Sequence, residues 1–181
     1  MDCLNISNVD KRLGRDFAEF LRGKWESPPA DFGDAVAALD RGDYARALWQ
    51  FRELAEQGNG EAENFLGLMY SNGHGVPCDK EEASRWFRVA ADRGQATAQH
   101  NLGLIYELGL GVLPNDRDAF LWYLKAASND HVGAQVRVSR MFAAGQGCTK
   151  DLEKAASYAR RAAEMGNEEA KSLVAAFNEP T

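Results

Sequence analysis

Glycine pairs one residue apart stand at Gly73/Gly75, Gly109/Gly111 and Gly145/Gly147. Such spacing invites a phosphate-binding reading. A dinucleotide fingerprint, however, needs a preceding strand and a third glycine, and a phosphate loop needs Gly-Lys followed by Ser or Thr. Neither is present, so the pairs read as turns between helices. His74, His100 and His131 are the three histidines. A metal site needs convergent ligands, and no two of them share a three- or four-residue helical spacing. No metal is expected. His74 reads as a loop tip, His131 as part of a turn, and His100 alone as able to reach a groove. Cys3, Cys78 and Cys148 form an odd, unpatterned set, which reads as free thiols in a reducing compartment. Cys78 lies one residue before a helix start, which lowers a thiol pKa, but no histidine is near it in sequence. The acid pairs Glu81–Glu82 and Glu168–Glu169 sit at helix starts, where the helix dipole accounts for them. No nucleophile elbow occurs. The residue types therefore assign no catalytic residue and no cofactor.

What positions these residues is a repeated unit. Glu61–Gly94 recurs twice, 36 residues apart, without insertion or deletion. Ala62 becomes Ala98 and Ala134; Leu66 becomes Leu102 and Val138. Tyr70 becomes Tyr106 and Phe142; Trp86 becomes Trp122 and Tyr158. Self-similarity at a fixed period of this size marks a solenoid, and the Ala-rich composition favours helix. Each repeat supplies a first helix (about 60–72, 96–108 and 132–144) and a second (about 79–93, 115–129 and 151–165). Asp79, Asn115 and Asp151 should cap the second helices. Gly58, Gly94 and Gly166 should end second helices, with Asp130 in the matching place of the third.

The organisation expected is an N-terminal extension, 1–30, followed by a solenoid, 31–181. The extension carries one amphipathic helix, about 8–22, and a Pro-containing link. The solenoid comprises a variant repeat (31–58), full repeats (59–94, 95–130 and 131–166) and a capping helix (167–178). The 181 residues carry a formal net charge of −6. Without a basic run, nucleic acid is not an expected partner. No apolar run approaches membrane-spanning length and the N-terminus lacks a signal-peptide core. The cytoplasm is the expected location.

The line A–x3–LG–x–[LI]–Y–x2–G–x–GV–x2–[DN]–x3–A–x2–W–x3–AA resembles the Sel-one-like repeat, a relative of the tetratricopeptide repeat. It is borne by Ala62, Leu66, Gly67, Tyr70, Gly73, Gly75 and Val76 and by their counterparts from Ala98 to Val112. The third copy departs at Ser139, Phe142, Cys148 and Tyr158. The resemblance implies an all-α fold: a right-handed α-solenoid of antiparallel helix pairs whose first helices line a concave face. It also implies a bacterial adaptor that assembles proteins. A cysteine-rich bacterial branch is linked to β-lactams, but its hallmark cysteine pairs within each repeat are missing here. The inner positions should then be Asn64, Leu68 and Ser71, His100, Leu104 and Glu107, and Arg140. Such a mixed face suits a partner peptide or helix. The expected protein is a non-enzymatic scaffold, monomer or homodimer. The alternatives are a β-lactam or cell-wall-fragment hydrolase, by analogy, and a self-assembling module.

Overall fold

Alanine-rich helical faces and turn signals at fixed spacing dictate helices joined by short connections, and the computed structural model describes this for residues 30–178. The segment 8–22 lies outside the described residues. Nine helices are present among those described, and no strand. They are α1 (Phe32–Asp40), α2 (Tyr44–Glu56), α3 (Gly60–Asn72), α4 (Lys80–Asp92), α5 (Ala96–Leu108), α6 (Asp116–Ser128), α7 (Val132–Ala144), α8 (Leu152–Glu164) and α9 (Glu168–Asn178). Two compact units divide the chain, the first ending at Trp86 and the second beginning at Phe87.

In the first unit, Ala35 and Ala38 of α1 meet Ala47, Phe51 and Leu54 of α2. Small residues let the helix axes approach, and Phe51 fills the space left. Phe51 stacks on Phe65 of α3 with ring centroids 4.8 Å apart, and Phe32 meets both rings edge-on. Burying a side chain such as Phe51 or Leu66 contributes about 1.5–3 kcal/mol. Trp86, one of the large residues of the repeat, is half-buried against this cluster.

In the second unit, α5 packs on α6, α6 on α7, α7 on α8 and α8 on α9. Its core runs through Ala119, Phe120, Tyr123, Ala126, Ala134, Val138, Met141 and Ala155. A smaller cluster joins Val136, Ala162 and Ala170, which seats α9. The close approach of α5 to α6 depends on Gly103: a Cβ there would lie 2.6 Å from Tyr123 Cδ1. The third copy carries Ser139 at the position of Gly103 and Ala159 at that of Tyr123. A smaller partner leaves room for the serine, whose Oγ donates to Ala155 O at 2.8 Å.

The same devices recur in the loops. The first glycine of each pair ends the first helix at positive φ: 72° at Gly73, 69° at Gly109 and 74° at Gly145. The N–H of each cap residue, Asp79, Asn115 and Asp151, donates back to the carbonyl of Tyr70, Tyr106 and Phe142. Their side chains then accept from the first turn of the second helix, as the cap pattern predicts. In two of the loops the second glycine lies against the start of the preceding second helix: Gly75 against Tyr44, and Gly147 against Asp116.

A polar tie between successive repeats recurs in both units. Arg52 Nη2 donates to Tyr70 Oη at 2.6 Å, and Arg88, the same 18 residues upstream, donates to Tyr106 Oη. The third copy replaces both partners together. Leu124 stands for the arginine and Phe142 for the tyrosine, and both join the apolar cluster. Arg88 also lies over the Tyr106 and Trp122 rings. Removing one partner strands the other, whereas an apolar pair needs no hydrogen bond. Tyr106→Phe or Arg88→Leu alone should each cost about 1 kcal/mol. The double variant should cost less than their sum by about 0.5–1 kcal/mol. A double-mutant cycle in urea checks this, and strict additivity would count against the pairing.

Candidate functional site

On α5, His100, Leu104 and Glu107 are four and three residues apart, so they share one face of the helix. Glu107 is the hub. Its Oε2 accepts from the Tyr123 hydroxyl at 2.6 Å, and its Oε1 lies 3.5 Å from Arg137 Nη1 of α7. Burial and the Glu107 carboxylate push the Tyr123 phenol above its ordinary range, so it remains a hydrogen-bond donor. His100 tilts against the Tyr123 ring, with centroids 5.4 Å apart, and stacks on His131 at 4.5 Å. His131 is the N-cap of α7: its Nδ1 accepts from Ala134 N at 3.1 Å. Further along α7, Arg140 pairs with Glu169 of α9 at 2.5 Å. A strip of polar pairs therefore links α5 to α7 and α7 to α9.

His100 is held down to about 4, first by burial and then by the charge of His131. The hydrogen bond to Asn101 and the charge of Glu107 oppose this, and Arg137 reinforces it. Burial also holds His131 below its ordinary value. A histidine depressed in the folded state favours the neutral form, so the unfolded chain takes up the proton first. Stability is then complete above about pH 6.5, falls as pH drops towards 4, and levels off below. With a discount for the partial exposure of His100, the loss is on the order of 2 kcal/mol. Urea melts of wild type and His100→Gln across this window should show the shallower slope in the variant. Equal slopes would contradict the assignment.

The sequence-expected face is more occupied than open. Asn64 is buried, not exposed, because its place in the repeat turns toward packing: the equivalent Val136 lies in an apolar cluster. Ser71 is half-buried and accepts from Lys80 Nζ, at 2.5 Å on its carbonyl and 3.0 Å on Oγ. Leu68 is half-buried. Leu104 is partly buried against the core. His100 and Glu107 are half-buried in the network above. Arg140 is the exposed member of the set. The physical reason is that a first helix packs on both its own second helix and its neighbours, which leaves a narrow outward stripe. Periodicity along the sequence did not bring Tyr123 or His131 to the site. The signal available was that both break the local pattern, a tyrosine where Phe87 and Ala159 stand and a histidine where Gln95 and Asn167 stand.

The expected free thiol at Cys78 is also corrected. Cys78 is disulfide-bonded, and a disulfide depends on Cα atoms within about 7 Å in space, which spacing along the chain does not reveal. Cys148 is free, donates to Met141 O at 3.6 Å, and burial pushes its thiol up. It packs against the core in the place of Val76 and Val112. Among the described residues no three His, Cys, Asp or Glu side chains could hold a metal together. No described helix is long and apolar enough to cross a membrane.

Helix pairs at a constant period, capped alike and closed by the same loop, define a helical-repeat protein of the α-solenoid class. Residues 60–95, 96–131 and 132–167 match the Sel1 repeat, more than half of the sequence, and the chain belongs to that family. A Sel1 repeat protein from Oxalobacter formigenes is 33% identical, with a TM-score of 0.78. The likeness covers 81% of this chain and 60% of that one. A protective antigen of uropathogenic Escherichia coli with an SLR fold is 32% identical, with a TM-score of 0.68 over 88% of this chain. This chain spans only 34% of that antigen. Helicobacter pylori cysteine rich protein B, 18% identical with a TM-score of 0.55, shares the fold over 93% of this chain and 99% of its own. A sequence search among curated proteins finds no match. Sel1 repeat proteins are generally protein-interaction scaffolds.

Proposed function

We propose that this chain is a non-enzymatic adaptor that holds a partner peptide or helix along its first helices. The observation that supports this is the strip from His100 through Glu107 and Arg137 to Arg140. Its polar groups are fixed by one another before any partner arrives, so less side-chain entropy is lost on docking. Leu104 and the exposed Leu108 supply apolar anchors beside it. Arg140 presents a cation that can exchange Glu169 for a partner's carboxylate. Alternating anchors and fixed polar groups suit an extended or helical segment.

The test compares capture of proteins by wild type, Leu104→Arg and Arg140→Glu, with melting curves to show that each variant folds. A partner retained by wild type should be lost, or bound at least about tenfold more weakly, by both variants. A partner held equally by all three would move the interaction off this strip.

A further inference from the structure

We infer that the stacked pair His100–His131 is an acid-operated latch between the second and third full repeats, which frees the first turn of α7 when the imidazoles take up protons. The other full-length first helices, and α9, are capped by side chains that do not titrate in this range: Asn59, Gln95 and Asn167 accept from the backbone at the same place. His131 does the same through Nδ1, where the Ala134 N–H is shared with the His131 carbonyl oxygen at 3.0 Å. Only a neutral imidazole has a ring nitrogen that accepts. Protonation turns that nitrogen into a donor facing the Ala134 N–H, and sets a positive charge on the positive end of the helix dipole.

Burial outweighs the relief that a hydrogen bond to the His131 backbone gives the added charge. His100 lies 4.5 Å away, nearly parallel, so a second proton adds like-charge repulsion to the lost cap. Both rings lie close over α7: a Cβ on Gly133 would stand 3.3 Å from His131 Cε1 and 3.7 Å from His100 Nε2. From α6 the pair meets the uncharged Tyr123, and from α7 the cation of Arg137. Glu107 and Asn101 face His100 from α5. Glu107 is already engaged by Tyr123 and Arg137. Asp130, adjacent to His131, is paired with Arg161 of α8. Opening the first turn of α7 would unseat Arg137 and hence the strip described above, yet the latch itself requires no partner.

Hydrogen exchange read by mass spectrometry tests it on the full chain, at neutral pH and at about pH 5, after correction for the intrinsic rate. In wild type, the amides of residues 132–136 should lose about tenfold more protection on acidification than those of residues 60–64. His131→Asn keeps a cap of the kind used at Asn59 and Asn167, and should keep its protection at both pH values. His100→Asn removes the second imidazole and should move the opening to lower pH. The latch is overturned if wild type shows no excess loss in 132–136, if His131→Asn opens in acid as wild type does, or if His100→Asn leaves the midpoint unchanged.

Discussion

Gly147→Ala is expected to lower stability by at least about 3 kcal/mol, while Gly166→Ala lowers it by only about 1 kcal/mol. Both glycines have positive φ, 68° and 86°, so each substitution carries the cost of placing a Cβ in the left-handed region. They differ in what the Cβ meets. At Gly166 no heavy atom lies within 4 Å. At Gly147 the Cβ would lie 2.1 Å from Asp116 O and 2.5 Å from its carbonyl carbon. The obstacle is backbone at the capped start of α6, which no rotamer change can clear. Relief requires the loop to lift from α6, which also breaks the bond from Gln146 Nε2 to Asp116 Oδ1 at 3.0 Å. Urea denaturation of the two variants measures the difference directly. Equal costs would mean that the loop moves freely and that the glycine is there for its dihedral angle alone.

Tyr123→Ala is the second large effect, expected at about 3–5 kcal/mol. Tyr123 is fully buried, and its ring rests against Gly103, so truncation opens a cavity along the closest approach of α5 and α6. Tyr123→Phe separates packing from the hydrogen bond. It keeps the ring and strands one oxygen of Glu107, for a cost of about 1–2 kcal/mol. The second effect should be visible in exchange of the α5 amides as well as in the melt. If Phe costs as much as Ala, the hydroxyl network rather than the ring holds the two helices together.

These two residues show how unevenly the sequence disclosed the molecule. The Gly-x-Gly pairs were legible as left-handed exits from helices, because positive φ is a local property of the chain. That the second glycine must also admit the backbone of a neighbouring repeat was not legible, since no local pattern reports what lies opposite. The Arg88–Tyr106 tie was in principle readable. Arginine and tyrosine are replaced together as Leu124 and Phe142, and a pair that changes jointly within one chain marks a contact. Asn64 shows the opposite failure. With Leu66 and Gly67 taken as the packed side of the first helix, Asn64 was placed on an open inner face, but the neighbouring helices bury that position as well.

By itself the sequence determined the period, the helix spans, the caps at Asp79, Asn115 and Asp151, and the family. All of these follow from preferences that act within a few residues and recur three times. Only the tertiary structure decided which side chains meet. It joined Glu107 to Tyr123 and Arg137, stacked His100 on His131 and made His131 a helix cap. These contacts lie between elements separated along the chain, and depend on the rotation and depth at which each helix settles. Packing of the buried alanines and aromatics sets those quantities. A repeat pattern fixes which positions face a neighbour, whereas the side chains that break the pattern determine what those faces do.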